Sequence, residues 1–178
     1  MNNDIIVGIG EVLWDMFLEG KRIGGAPANF AYHMSQFGFD SRVVSAVGED
    51  ELGDEILENF NEKGLRYWVE RVPFPTGTVE VTLNEGGIPC YEIKQSVAWD
   101  NVPYTPELDQ LACQTRCVCF GSLAQRNVVT RTTLNRFLDA MPGEAYKVFD
   151  INLRQHFYTV EILKDSLARC NILKLNDE

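Results

Sequence analysis

The chain opens on an almost unbroken apolar run, Ile5 to Gly10, the pattern of a strand buried on both faces. It continues through GEVLWDMFLE into a second extended piece. From Ala28 to Phe37 the apolar spacing turns helical, and Gly38 stands where a helix would stop. Ser41 to Gly48, SRVVSAVG, is β-branched again. DELGDEILENFNEKG then sets Leu52, Ile56, Leu57 and Phe60 on one helical face, closed by Gly64. Strand and helix in alternation predict parallel βα units.

The rhythm changes between Thr76 and Ala98. Thr78, Glu80 and Thr82 alternate with Val79, Val81 and Leu83, and a turn is expected at Glu85-Gly86-Gly87. An antiparallel hairpin set into a parallel sheet predicts an appendage, either a lid or an oligomer contact. The βα pattern then resumes. CVCFGS reads as a short buried strand, Leu134, Phe137, Leu138 and Met141 as the apolar face of a helix, and YKVFDIN as a strand. A further helix is expected at about Thr159 to Arg169, and Ile172 to Leu175 begins another strand that runs into a polar Asn-Asp-Glu turn. The fold class expected is α/β, a Rossmann-like parallel sheet flanked by helices. No repeat, low-complexity tract or interdomain linker interrupts it.

Composition adds exclusions. Among 178 residues, 45% are hydrophobic and 24% charged, an ordinary globular balance. A net charge of −10 and a pI near 4.7 argue against nucleic acid or an anionic membrane surface as partner. No apolar run is long enough to span a bilayer, and the N-terminus, with Asp4 and no basic region, does not read as a signal peptide. Cytoplasmic localisation is therefore the expectation. Cys90, Cys113, Cys117, Cys119 and Cys170 contain no CxxC pair, so reduced structural cysteines are expected and no zinc site.

Several stretches are more polar, or more flexible, than packing asks for. In Gly24-Gly25-Ala26-Pro27-Ala28-Asn29-Phe30 the glycines would let a ligand approach bare backbone, Pro27 would preset a helix start, and Asn29 offers a donor and an acceptor suited to a hydroxyl. An ordinary glycine-rich turn remains the alternative. Asp15, where the first strand leaves the sheet, could accept from two neighbouring sugar hydroxyls, or could be a solvated loop residue. Asp150, Asn152 and Arg154 alternate at the end of a strand, either as a phosphate- and metal-facing edge or as an Asp–Arg pair that caps it. Lys174, Asn176 and Glu178 repeat that spacing with the same two readings. Gly8-Ile9-Gly10 begins like a dinucleotide fingerprint, but Leu13 stands in the third glycine's place, so NAD is not expected. His33 on a helix and His156 in a loop join no metal-like cluster, and Trp14, Trp68 and Trp99 are expected as core or lid aromatics, with Trp99 also placed to rim a pocket.

Taken together these motifs resemble the PfkB (ribokinase-like) family of carbohydrate kinases. Gly24, Gly25, Ala26, Pro27, Ala28, Asn29, Phe30, Ala31, then Gly38 and Gly48, follow that family's first signature throughout. Gly48-Glu49-Asp50-Glu51-Leu52-Gly53 resembles its following G-x-D-x-x-G, and GEVLWD, VFDINLR and KLNDE look like fructokinase-type members. The resemblance implies a ribokinase-like α/β/α fold, with residues 1–178 the N-terminal part of one kinase domain. It implies a β lid formed by about 12–24 and 76–98, which closes over the sugar and serves as a homodimer contact. Asp15, Gly24, Gly25 and Asn29 would bind the sugar, fructose or a related hexose. Arg154, Asn152, Lys174 and Asn176 would lie on the phosphate side, and ATP and Mg²⁺ would be the cofactors.

The family's second signature, D-T-x-G-A-G-D, which carries the catalytic Asp and the anion-binding glycines, has no match in the sequence. The resemblance thus implies a sugar kinase of fructokinase type whose catalytic and ATP-binding part is absent from these residues, and a 178-residue piece that is inactive alone. Two alternatives stay open: a non-catalytic sugar-binding or regulatory module of the same fold, and a Rossmann-type nucleotide binder with another reaction.

Overall fold

The computed structural model describes residues 4–83 and 89–176. Its main sheet has six strands, all parallel, in the order β10-β9-β8-β1-β4-β5. The strands are β1 (Ile5–Ile9), β4 (Asp40–Gly48), β5 (Arg66–Val72), β8 (Thr115–Gly121), β9 (Tyr146–Asp150) and β10 (Ile172–Lys174). β1, buried along its whole length, lies at the centre, as its unbroken apolar run requires. One face carries α1 (Ala26–Gln36) and α2 (Glu51–Glu62), through Ala28, Ala31, Ile56 and Phe60. The other carries α3 (Pro106–Gln114), α4 (Val128–Ala140) and α5 (Val160–Arg169), through Leu108, Leu134, Phe137, Leu138 and the partly buried Leu163. The three layers make the expected α/β/α architecture.

A second sheet, order β3-β2-β6-β7, is built from β2 (Leu13–Phe17), β3 (Gly20–Gly24), β6 (Thr78–Leu83) and β7 (Pro89–Ile93). β2 runs parallel to β6, and both outer pairings are antiparallel. The expected hairpin is therefore β6–β7, while its turn at Glu85-Gly86-Gly87 lies outside the described residues. Leu13, Val79, Ile93, Val97, Trp99, Leu123, Ala124 and Phe157 form the apolar joint between the two sheets. Trp99 is thus a joint residue, only 1% exposed, rather than a pocket rim.

Both roots of the hairpin are tied down. Asp50, the N-cap of α2, accepts the Gly53 amide at 2.8 Å, the Thr76 amide at 2.8 Å and the Thr76 hydroxyl at 2.6 Å. At the other root, Arg126 donates to the Lys94 carbonyl at 2.6 Å. The GEDELG motif accordingly serves here to fasten the helix cap to the small sheet.

Two elements lie outside the sequence expectation. β5 is an edge strand of intermediate burial, so its pattern lacks the clean alternation of a half-buried strand. α3 is announced by Thr105 and Pro106, a cap and a first-turn proline, and the Thr105 hydroxyl accepts the Leu108 amide at 3.2 Å. α1 begins at Ala26, two residues before the apolar spacing suggests, because Pro27 is already helical.

Candidate functional site

The amino end of α1 approaches β1 closely. A Cβ on Gly8 would meet the Pro27 carbonyl oxygen at 2.0 Å, so only glycine lets the helix lie this near the strand. That close approach explains the isolated GxG without any dinucleotide. Gly25 caps the helix at φ 111°, a region other residues avoid, and a Cβ there would meet the Glu11 carbonyl oxygen at 2.3 Å. The Gly24–Gly25 turn is thereby pressed against the chain leaving β1.

Beside this turn opens a cleft of about 800 Å³. Asp15, Gly24, Gly25 and Asn29 line one wall, and Asn152, Arg154 and Lys174 line the other. Of the eight residues that the family resemblance assigns to the sugar and phosphate sides, only Asn176 does not line it; its amide donates to Asn152 Oδ1 at 3.3 Å. Glu178 lies outside the described residues.

Asp15 sits within β2 of the small sheet, opposite Arg22, rather than at the end of the first strand. Its carboxylate packs on Gly24, where a Cβ would meet Oδ2 at 2.5 Å. Burial raises the Asp15 carboxyl above its usual range, and the Arg154 guanidinium across the cleft opposes that rise. Asn29 is exposed on the first turns of α1, with its backbone amide bound to the Gly25 carbonyl at 3.0 Å. The glycine turn does not keep every amide free, however: the Ala26 amide donates to Glu11 Oε1 at 3.3 Å.

On the opposite wall the strand ends at Asp150, and residues 151–154 have no regular structure, so the every-second-residue expectation fails beyond Asp150. Nor does Asp150 pair with Arg154. The parallel register sets Lys174 of β10 beside Asp150 of β9, and the Lys174 ammonium donates to both carboxylate oxygens at 3.0 Å. Arg154 is exposed and makes no ion pair among the described residues.

Two residues at the cleft went unnoticed in the sequence. Glu11 is 6% exposed, with Oε1 on the Ala26 amide and Oε2 buried without a partner. Burial, reinforced by Asp150, pushes its carboxyl up to about 7, against the pull of its amide donors and of Arg126. Ser122, which follows β8, also lines the cleft with an unpartnered hydroxyl. An acid inside an apolar run, directly after Gly10, was the available signal for Glu11. Among the described residues no three His, Cys, Asp or Glu side chains converge as metal ligands.

A parallel sheet between two helical layers, a small β sheet at its carboxyl edge and a polar-lined cleft between the two sheets define a ribokinase-like α/β protein. The chain belongs to the pfkB family of carbohydrate kinases, whose model matches residues 17–178. It is 28% identical to the sugar kinase PH1459 of Pyrococcus horikoshii, over 98% of this chain and 62% of that one. It is 26% identical to an ATP-dependent 6-phosphofructokinase of Thermoanaerobacterium thermosaccharolyticum, over 97% and 59% of the two lengths. The chain thus spans about three fifths of these relatives.

Among solved structures, PH1459 in complex with ATP superposes with a TM-score of 0.82 at 26% identity, covering 95% of this chain and 62% of that one. An ATP-bound fructokinase of Xylella fastidiosa superposes at 0.84 and 21% identity, covering 97% and 58%, a likeness of fold.

Proposed function

We propose that the chain is the sugar-binding part of an ATP-dependent sugar kinase that phosphorylates a hydroxyl of fructose or a related hexose. The observation that carries this reading is the single cleft on which Asp15, Gly24, Gly25 and Asn29 face Asn152, Arg154 and Lys174. Asp15 and Asn29 take sugar hydroxyls, the former as acceptor and the latter as donor or acceptor. The Gly24–Gly25 turn lets the sugar lie against the backbone. Arg154 and Lys174, with Asn152 and Asn176 behind them, form the side toward which the phosphoryl donor approaches.

Phosphoryl transfer depends on in-line positioning and on neutralising charge at the transferring oxygens. These residues contribute the positioning and part of the positive charge. The described side chains do not assemble a magnesium site: Asp150 is already held by Lys174, and burial raises the Glu11 carboxyl to about 7. We therefore assign no step of the reaction to a metal held by these residues. The catalytic base and the anion hole belong to the D-T-x-G-A-G-D signature, which the sequence lacks, so the 178 residues alone bind sugar without turnover. The small sheet acts as a lid and as the homodimer contact, and the protein works in the cytoplasm.

Isothermal titration with D-fructose tests this reading. Saturable binding that Asp15→Asn and Asn29→Ala each weaken at least ~10-fold supports it. Binding indifferent to both changes, or turnover of ATP and fructose by the 178 residues alone, overturns the assignment of roles.

A further inference from the structure

Gln155 follows Arg154 on the irregular segment after β9, and it is held in an unusual way. Its backbone takes φ 48°, a left-handed conformation shared among described non-glycine residues only by Ser96. Its side-chain amide donates to the Tyr91 carbonyl of β7 at 2.7 Å, a bond across 64 residues of sequence. We propose that Gln155 is a positioning residue of the cleft: tethered to the backbone of the small sheet, it sets the turn that carries Arg154 and so holds that guanidinium opposite Asp15. The purpose of the tether rests on the reading of the cleft as a sugar site; the tether itself does not.

The turn shows how the bond would act. The Phe157 amide donates to the Arg154 carbonyl at 3.0 Å, which closes a turn over 154–157 with Gln155 at its first central position. A positive φ there belongs to a primed turn, where glycine, asparagine or aspartate is the ordinary occupant. A glutamine is strained in that place. Phe157 anchors one side of the turn, buried in the apolar joint between the two sheets. Gln155 anchors its tip to β7.

Folding stability does not account for this arrangement. Gln155 is exposed, so its bond replaces one to water and contributes little, while the backbone strain opposes folding. What the turn presents does account for it. Gln155, Tyr91, Arg154 and Asp15 all line the same cleft. Arg154 makes no ion pair among the described residues, so its side chain takes direction from its backbone, and its backbone from the turn. Tyr91 on β7 and Asp15 on β2 both pair with β6, so they belong to one sheet. The tether therefore references Arg154 to the very sheet that holds its counterpart, and the spacing across the cleft is kept when that sheet shifts. The charge of Arg154 is felt there, because it opposes the rise of the Asp15 carboxyl.

The test is a ¹³C carboxyl NMR titration of Asp15 in the full chain without sugar, on wild type, Arg154→Gln, Gln155→Met and the double variant. Methionine keeps the length of the side chain and removes its donor. Arg22, which faces Asp15 across the β2–β3 pair, is common to all four proteins. Arg154→Gln should raise the Asp15 midpoint, and Gln155→Met should produce at least half of that rise although Arg154 is still present. The double variant should rise no further than Arg154→Gln alone, the mark of one residue acting through the other. Urea unfolding midpoints of wild type and Gln155→Met should coincide. An Asp15 midpoint unmoved by Gln155→Met overturns the proposal, and with a fall in stability it leaves the bond a structural role only. Rises that add in the double variant, or an Asp15 that ignores Arg154→Gln, overturn it as well. Isothermal titration with D-fructose separates this outcome from the sugar reading. A wild type that shows the Asp15 shifts but binds no fructose keeps Gln155 as the residue that positions Arg154 and removes the sugar.

Discussion

On one wall of the cleft the backbone has little room: Gly25, and Gly8 in the strand beneath the helix, are pressed against backbone carbonyls closely enough to exclude a Cβ, while Gly24 lies against the Asp15 carboxylate. On the other wall, Asn152 and Arg154 hang from an irregular segment, and the ion pair there reaches out to a half-exposed lysine. The first wall is shaped by close backbone packing and holds neutral dipoles beside carboxyls whose burial disfavours the charged form. The second is shaped by charge and solvent. A side that grips a rigid polyol gains from pre-set geometry, whereas a side that receives a charged, mobile group gains from long cationic side chains that adjust.

The contrast can be broken most severely at Gly25. An alanine there must adopt a φ of 111° and place its Cβ against the Glu11 carbonyl, so Gly25→Ala should cost on the order of 3 kcal/mol in urea unfolding. A loss below ~1 kcal/mol would show that the wall yields after all.

Glu11 sharpens the comparison through pH. Its carboxyl rises from 4.5 in the unfolded chain to about 7 in the fold, so its contribution to stability is full below pH 4.5 and is lost as pH rises through 7. Glu11→Gln keeps an acceptor for the Ala26 amide and never ionises. The variant should gain on wild type between pH 5 and pH 8, by up to ~3 kcal/mol, in paired denaturation curves. Parallel curves at the two pH values would contradict a carboxyl buried in this way.

On the charged wall, Lys174→Met should destabilise by ~1 kcal/mol at neutral pH, because Asp150 is 7% exposed and loses its cation. A loss above ~3 kcal/mol would show instead that Asp150 has no other access to water or donors. The smallest change is expected from Arg154→Gln. Stability should stay within ~0.5 kcal/mol, while the Asp15 carboxyl climbs further as its opposing charge disappears. An unmoved Asp15 would mean that the two walls do not sense each other.

Much of the first wall could be read from the sequence, because steric demands leave a residue-type trace. A glycine pair before a proline and an asparagine has few uses, and an unbroken apolar run marks β1 as a strand buried on both faces. The second wall was harder to read. Spacing suggested a common direction for Asp150, Asn152 and Arg154, but β9 stops at Asp150, and the true partner of that carboxylate comes from the neighbouring strand through sheet register. Register between parallel strands distant in sequence depends on the packing of the whole layer, which no local pattern encodes. Glu11 escaped notice because an apolar run was read as strand alone. β5 escaped because an edge strand needs no clean alternation.

The bonds from Asp50 to Thr76 and from Arg126 to Lys94 clamp both legs of the small sheet where they emerge from the main body. Such a sheet cannot swing like a door on its posts. Displacement has to come from bending along the strands, growing with distance from the clamps as in a cantilever, so the far ends of β6 and β7 travel while the neighbourhood of Asp15 stays in place.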